Sequence, residues 1–154
     1  MSCDVPGGAG RKKRRMRRTV EVEGLDHVEL TMPVGEEALA RLFYGRVLGL
    51  QEVRKPRAVG RGGAWFIGPG MALHLSTAEP FRPARQAHPA LIVSDIERAR
   101  RRLAAHGVPA GEETADLWVR RFSVSDPFGN RIELIDARDA GFTETRRLRT
   151  SGDR

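Results

Sequence analysis

Three histidines and a glutamate carry the donor atoms best suited to hold a metal ion in this chain: His27, His74, His88 and Glu133. They fall into two pairs, one in each half of the sequence. His27, in Leu25-Asp26-His27-Val28-Glu29-Leu30, is answered by His74 in Ala72-Leu73-His74-Leu75. His88, in Ala87-His88-Pro89-Ala90-Leu91-Ile92-Val93, is answered by Glu133 in Arg131-Ile132-Glu133-Leu134-Ile135. A divalent ion needs several N or O donors converging on one point. Neutral imidazole suits Zn, Ni, Fe or Co, and a carboxylate extends the range to Mn.

Strand parity strengthens the grouping. Val28, Leu73, Leu75, Ile132 and Leu134 flank three of the donors and Leu91 lies in the strand of His88, and alternate residues of a strand point to opposite faces. Packing the apolar neighbours under helices therefore turns all four donors to the other side, where two curling sheets would bring them together. With Phe122 and Val124 directed at a helix, Arg121 and Ser123 join that side, beside Phe66 from the corresponding strand of the first half. Arg121 suits a bidentate clamp on a carboxylate or enediolate oxygen, and equally a surface arginine in a chain rich in them. Glu29 shares the face of His27 and suits a base or a hydrogen-bond partner of the ligands. Trp65 and Trp118 read as packing residues, and His106, at a helix C-terminus, as a residue without a functional role.

The elements that must position these residues repeat. Order is expected from the alternating Val20-Glu21-Val22-Glu23 into the first strand. A helix from about Glu36 to Leu48 follows, with Leu39, Leu42, Phe43 and Val47 at helical spacing, Glu36 and Glu37 in its first turn and Gly49 at its end. Strands are expected over Gln51 to Arg54, Ala64 to Ile67 and Met71 to Ser76. A linker, 77–86, then leads to a second unit: the strand of His88 to Val93 and a capping box at Ser94-Asp95-Ile96-Glu97. A helix to His106 follows, with Ile96, Ala99 and Leu103 buried, its arginines wet and Gly107 as its stop. Strands over Val108 to Glu112, Val119 to Ser125 and Arg131 to Asp136 complete the unit. Asp126 to Asn130 has the composition of a turn. The modules span about 20–80 and 84–137 of one domain, 20–137, between a basic tail at 1–19 expected to be disordered and a charged, loosely held C-terminal tail at 138–154.

The 154 residues, 40% hydrophobic, suffice for one core. No stretch is long and apolar enough to span a membrane, and no apolar segment follows the basic start to make a secretory signal. With one cysteine, Cys3, no disulfide can close within the chain, so a cytoplasmic location is expected. The net charge of +7 is concentrated in the run Arg11 to Arg18. That run reads as a solvated tail, with nucleic-acid contact no more than non-specific and Met16 a candidate start.

Gly24-Leu25-Asp26-His27-Val28, the Phe43-Tyr44 and Leu48-Gly49-Leu50 helix end, and Asp126-Pro127-Phe128-Gly129-Asn130-Arg131-Ile132-Glu133-Leu134 resemble the glyoxalase / bleomycin-resistance / extradiol-dioxygenase (vicinal oxygen chelate) superfamily over residues 22–137. The resemblance implies an α+β fold of two tandem βαβββ modules forming a cupped, mixed sheet with helices outside. It also implies a divalent metal held by the first and last strand of each module, at His27, His74, His88 and Glu133, with Glu133 able to move a proton, and a homodimer. Two activities are implied: a metal-dependent lyase, isomerase or oxygenase acting on vicinal oxygens of a small substrate, or a metal-free protein that sequesters a drug or antibiotic. His74 stands where glyoxalase I enzymes commonly carry Glu or Gln.

Overall fold

A computed structural model describes residues 20–112 and 119–140. The basic run, Trp118 and the chain beyond Ala140 lie outside the described residues.

The first module begins with β1 (Val28–Met32), in which Leu30 and Met32 are buried and Glu29 and Thr31 turn away. Helix α1 (Glu37–Ala40) widens into a π-helical segment (Arg41–Val47), closed by the Leu48 amide on the Phe43 carbonyl at 2.9 Å. Three strands follow: β2 (Gln51–Val53), β3 (Ala64–Gly68) and β4 (Met71–Thr77). They form a sheet in the order β1-β4-β3-β2, with β1 parallel to β4 and the remaining pairs antiparallel. The second module carries β5 (Ala90–Val93), α2 (Ile96–Ala105), β6 (Arg121–Ser125) and β7 (Arg131–Asp136), in a sheet ordered β5-β7-β6. The α+β fold of paired modules thus stands, built on two mixed sheets of four and three strands.

Both sheets contribute to one core. Leu30, Met32, Phe66, Leu73 and Leu75 from the first cluster with Phe122, Val124, Ile132 and Leu134 from the second, around Phe43, Tyr44, Ile96 and Leu103 of the helical segments. Each sheet therefore has one face on this core and one face turned from it.

Several expectations change. Val20, Val22 and Leu25 are exposed and form no strand, because no neighbouring strand takes up their backbone groups. The buried stripe of the first helix is Ala40, Phe43, Tyr44 and Val47, leaving Leu39 and Leu42 on the exposed side. Asp95, not Ser94, caps α2, its Oδ1 accepting the Arg98 amide at 2.9 Å. One of the arginines expected on the wet face of α2 turns inward, Arg100 lying 4.4 Å over the Phe122 ring, while Arg102 stays exposed and donates to the Val47 carbonyl at 2.8 Å. Residues 108–112 form no strand and touch β6 through the Gly111 amide on the Ser123 carbonyl at 2.8 Å. The residues just after β7 are tied down, with the Arg120 amide on Asp139 Oδ2 and Arg138 paired to the buried Asp136 at 2.6 Å.

The two modules are joined through the side chains of the Asp126–Asn130 turn. The Tyr44 hydroxyl donates to Asp126 Oδ2 at 2.7 Å, and Asn130 Nδ2 donates both to that oxygen and to the Thr31 carbonyl of β1, each at 2.8 Å. Asp126 Oδ1 accepts the amides of Phe128 and Asn130, while Asn130 Oδ1 accepts the Ala84 amide. Burial, then the Asp126 carboxylate, push the Tyr44 phenol far above its ordinary pKa. The linker is part of this joint, since Arg131 donates its amide to the Ala84 carbonyl and Phe81 meets Phe128 edge-on.

Candidate functional site

The four candidate donors lie on, or just ahead of, the sheet faces turned from the core. In β4, Leu73 and Leu75 are buried and His74 points the other way. His27 immediately precedes β1, and its ring lies 4.3 Å from that of His74, inclined by 24°. Glu29 sits opposite His74 in the parallel pairing of β1 and β4, so it belongs to the same patch. In the second sheet Glu133 of β7 stands between Ala90 of β5 and Ser123 of β6. His88 shares the parity of Ala90, two residues ahead of it, on the side of Glu133.

The two strand-leading histidines are anchored alike. His27 Nδ1 lies 2.6 Å from Asp26 Oδ1, and His88 Nδ1 lies 2.7 Å from the Gln86 carbonyl. A carbonyl only accepts, so Nδ1 of His88 donates to it and Nε2 is left as the ring's other nitrogen. A carboxylate on Nδ1 directs His27 the same way, the arrangement that orients ligating imidazoles. His74 titrates below an ordinary histidine, first because burial disfavours its charged form and next because His27 lies beside it. It is therefore neutral near pH 7, the form that can ligate.

Chemically, three imidazoles and a carboxylate suit a divalent ion. Geometrically, the chain divides them: among the described residues no three His, Cys, Asp or Glu side chains converge. The structure brings His27 to His74, while Glu133 lies on the other sheet and His88 just ahead of that sheet's strand β5. The near-parallel packing of the His27 and His74 rings also matters. Packed face to face, the two rings would have to turn relative to each other for His27 and His74 to hold one ion together.

The remaining predicted site residues divide too. Arg121 lies on the open face with its Nε 3.6 Å from Glu133 Oε1. Ser123 pairs with Glu133 across β6 and β7, and its Oγ accepts from Arg131 Nε at 3.1 Å. Phe66 is not a site residue. It is fully buried in the core, 5.5 Å from the Tyr44 ring, because the antiparallel register sets Phe66 opposite the buried Leu73. Trp65 takes its place. It stands opposite His74 and stacks on that ring at 3.8 Å, within 5° of parallel, so Trp65, His74 and His27 form a continuous aromatic stack on the open face. Its pairing with His74 is the signal that parity alone did not supply. His106, as expected, caps the end of α2, its Nδ1 on the Arg102 carbonyl at 2.9 Å.

Beside Glu133, a cavity of about 550 Å³ opens between residues 109–111 and the outer residues of β6 and β7. No helix among the described residues is long and apolar enough to cross a membrane.

No curated protein matches the chain. Among solved structures, a glyoxalase family protein from Bacillus anthracis is 40% identical, with a TM-score of 0.73 over 77% of this chain and 98% of its own. An antibiotic binding protein from Streptomyces, 24% identical, superposes with a TM-score of 0.60 over 75% of this chain and 98% of its own. A fosfomycin resistance protein from Listeria monocytogenes, 16% identical, does so with 0.62 over 76% and 95%; these last two speak for the fold alone. A model of the Glyoxalase/Bleomycin resistance protein/Dioxygenase superfamily matches residues 24–134, the span holding both donor pairs, and the chain belongs to that superfamily.

Proposed function

We propose that this protein is a metal-dependent enzyme, a lyase, isomerase or oxygenase, whose metal centre is assembled from two copies of the chain. His27 and His74 of one copy and His88 and Glu133 of the other would hold the ion. The observation that carries this reading is the anchoring of His27 and His88 through Nδ1, which leaves Nε2 of each ring as the nitrogen available to an ion. Two incomplete, complementary pairs on faces turned from a shared core are what a homodimer would unite. When bound, a divalent ion there would act as a Lewis acid toward neighbouring oxygens of a small substrate.

The protein's own groups would do the rest. Glu133, with Arg121 against it, is placed to hold or move a proton at a substrate carbon or oxygen. Trp65 gives the site an apolar wall. The single cysteine supports action in the cytoplasm.

Mixing tests the reading directly. A His27→Ala/His74→Ala chain and a His88→Ala/Glu133→Ala chain are each expected to lose bound zinc or nickel. Unfolded and refolded together, they should recover about half a site per chain within the mixed dimers, since each mixed dimer rebuilds one intact centre. Metal content that stays at wild-type level in the separate variants would sink the proposal, and recovery of none on mixing would place the site within one chain.

A second reading is favoured by the Trp65-His74-His27 stack, a platform for a flat or cationic small molecule in a metal-free binding protein. Stoichiometric metal in the protein as isolated, lost in His88→Ala, would argue against it.

A further inference from the structure

The cavity beside Glu133 has a chemistry of its own. Arg85 and Arg131 both line it, together with Ser123, Val124, Ser125, Gly129 and residues 109–111, and no carboxylate belongs to its lining. Arg131 spends only Nε on the protein, on Ser123 Oγ at 3.1 Å, which fixes the plane of its guanidinium. Its two terminal amino groups have no protein partner among the described residues, and neither has the exposed Arg85. Two guanidinium groups around one hollow, one of them held in place, make a receptor for an oxyanion, because each offers paired N–H donors matched to two oxygens. The placement is specific as well. Arg131 precedes Glu133 by two residues on the same face of β7, about 7 Å along the strand.

We propose that Arg85 and Arg131 bind the anionic group, carboxylate or phosphonate, of a small molecule whose other end reaches Glu133. The position of that other end rests on the metal-dependent reading above; the anion site does not.

The test uses the full chain stripped of metal with EDTA, so that it reads the arginines and not the metal centre. Phenylphosphonate and benzoate are the probes and neutral benzamide the control, followed by amide chemical shifts in 15N-labelled protein. Both anions should bind and shift the amides of Gly111, Ser123 and Ser125, phosphonate against carboxylate showing which group is preferred, while benzamide leaves them in place. Arg85→Ala, which removes no hydrogen bond or ion pair among the described residues, should weaken binding several-fold, and the Arg85→Ala/Arg131→Gln pair by at least about ten-fold. Arg131→Lys keeps the charge without the fork and should fall between them, guarding against a fold defect in the pair. Equal binding of benzamide, unchanged affinity in Arg85→Ala, or no binding of either anion would overturn the proposal. A chain that binds the anions yet takes up no metal would refute only the metal reading.

Discussion

Replacing Tyr44 with Phe removes one hydroxyl and leaves the buried ring in place, so its effect isolates the joint between the modules. In the native protein that hydroxyl is one of four donors to Asp126, alongside the amides of Phe128 and Asn130 and the Asn130 side chain. Hydrogen bonds to charged acceptors contribute about 1.5–3 kcal/mol, and the three remaining donors keep Asp126 from being stranded, so a loss of about 2 kcal/mol is expected. For a domain of this size that corresponds to a fall in Tm of roughly 5–12 °C. A second signature separates the hydrogen bond from packing. The folded-state pKa of Tyr44 is raised, so its contribution is complete below pH 10 and is lost as pH rises, because the unfolded chain ionises while the folded one stays neutral. Wild type should lose about 1.4 kcal/mol per pH unit above pH 10, and Tyr44→Phe should lack this component. The chain has one tyrosine, so the ultraviolet absorbance of tyrosinate reports Tyr44 alone and should appear only with unfolding. Urea unfolding of both proteins from pH 7 to 11 measures all three quantities. Stability of Tyr44→Phe within about 0.5 kcal/mol of wild type, or tyrosinate appearing near pH 10 in the folded protein, would refute the reasoning.

Other perturbations follow from single features. Gly63 has φ +84, and a Cβ there would lie 2.2 Å from the Leu75 carbonyl oxygen, so Gly63→Ala should cost at least about 3 kcal/mol in urea unfolding by forcing β3 from β4. Arg102→Ala frees the carbonyl at the end of the first helical segment and should cost about 1–2 kcal/mol, read as a lower thermal midpoint. Asp136 titrates below the usual carboxylate range, chiefly through its hydrogen bonds from Arg138, so its contribution is present above about pH 4 and is lost as pH falls toward its depressed pKa. Asp136→Asn should therefore flatten acid unfolding between about pH 4 and 2, and an unchanged acid profile would contradict that assignment.

The donor faces were legible in the sequence because the strands that carry them alternate. Leu73-His74-Leu75 and Ile132-Glu133-Leu134 can each be laid on a core in one phase only. Ala64-Trp65-Phe66-Ile67 is apolar throughout and has no phase of its own. Its register comes from β4, a pairing that composition does not encode, and so Phe66 and Trp65 exchange places relative to the sequence expectation. The first helix misleads for a related reason: its buried stripe includes Tyr44, whose hydroxyl is satisfied by a residue far along the chain, while two leucines stay outside. Asp126 to Asn130 shows its turn in its composition, but not that its side chains reach back to β1 and the first helix. Arg131 and Arg85 gave no sign of acting together, since a cavity is a property of packed elements.

The single core spanning both sheets bears on how the protein folds. Phe66, Leu73 and Leu75 of the first module and Phe122, Ile132 and Leu134 of the second belong to one buried cluster, and the Tyr44 hydroxyl and the Asn130 side chain tie the halves together by hydrogen bonds. A chain cut within residues 78–86 should yield two fragments that stay unfolded alone and regain structure only when combined. Unfolding of the intact protein should then be a single transition, with amide exchange in β4 and in β7 slowed to the same global limit.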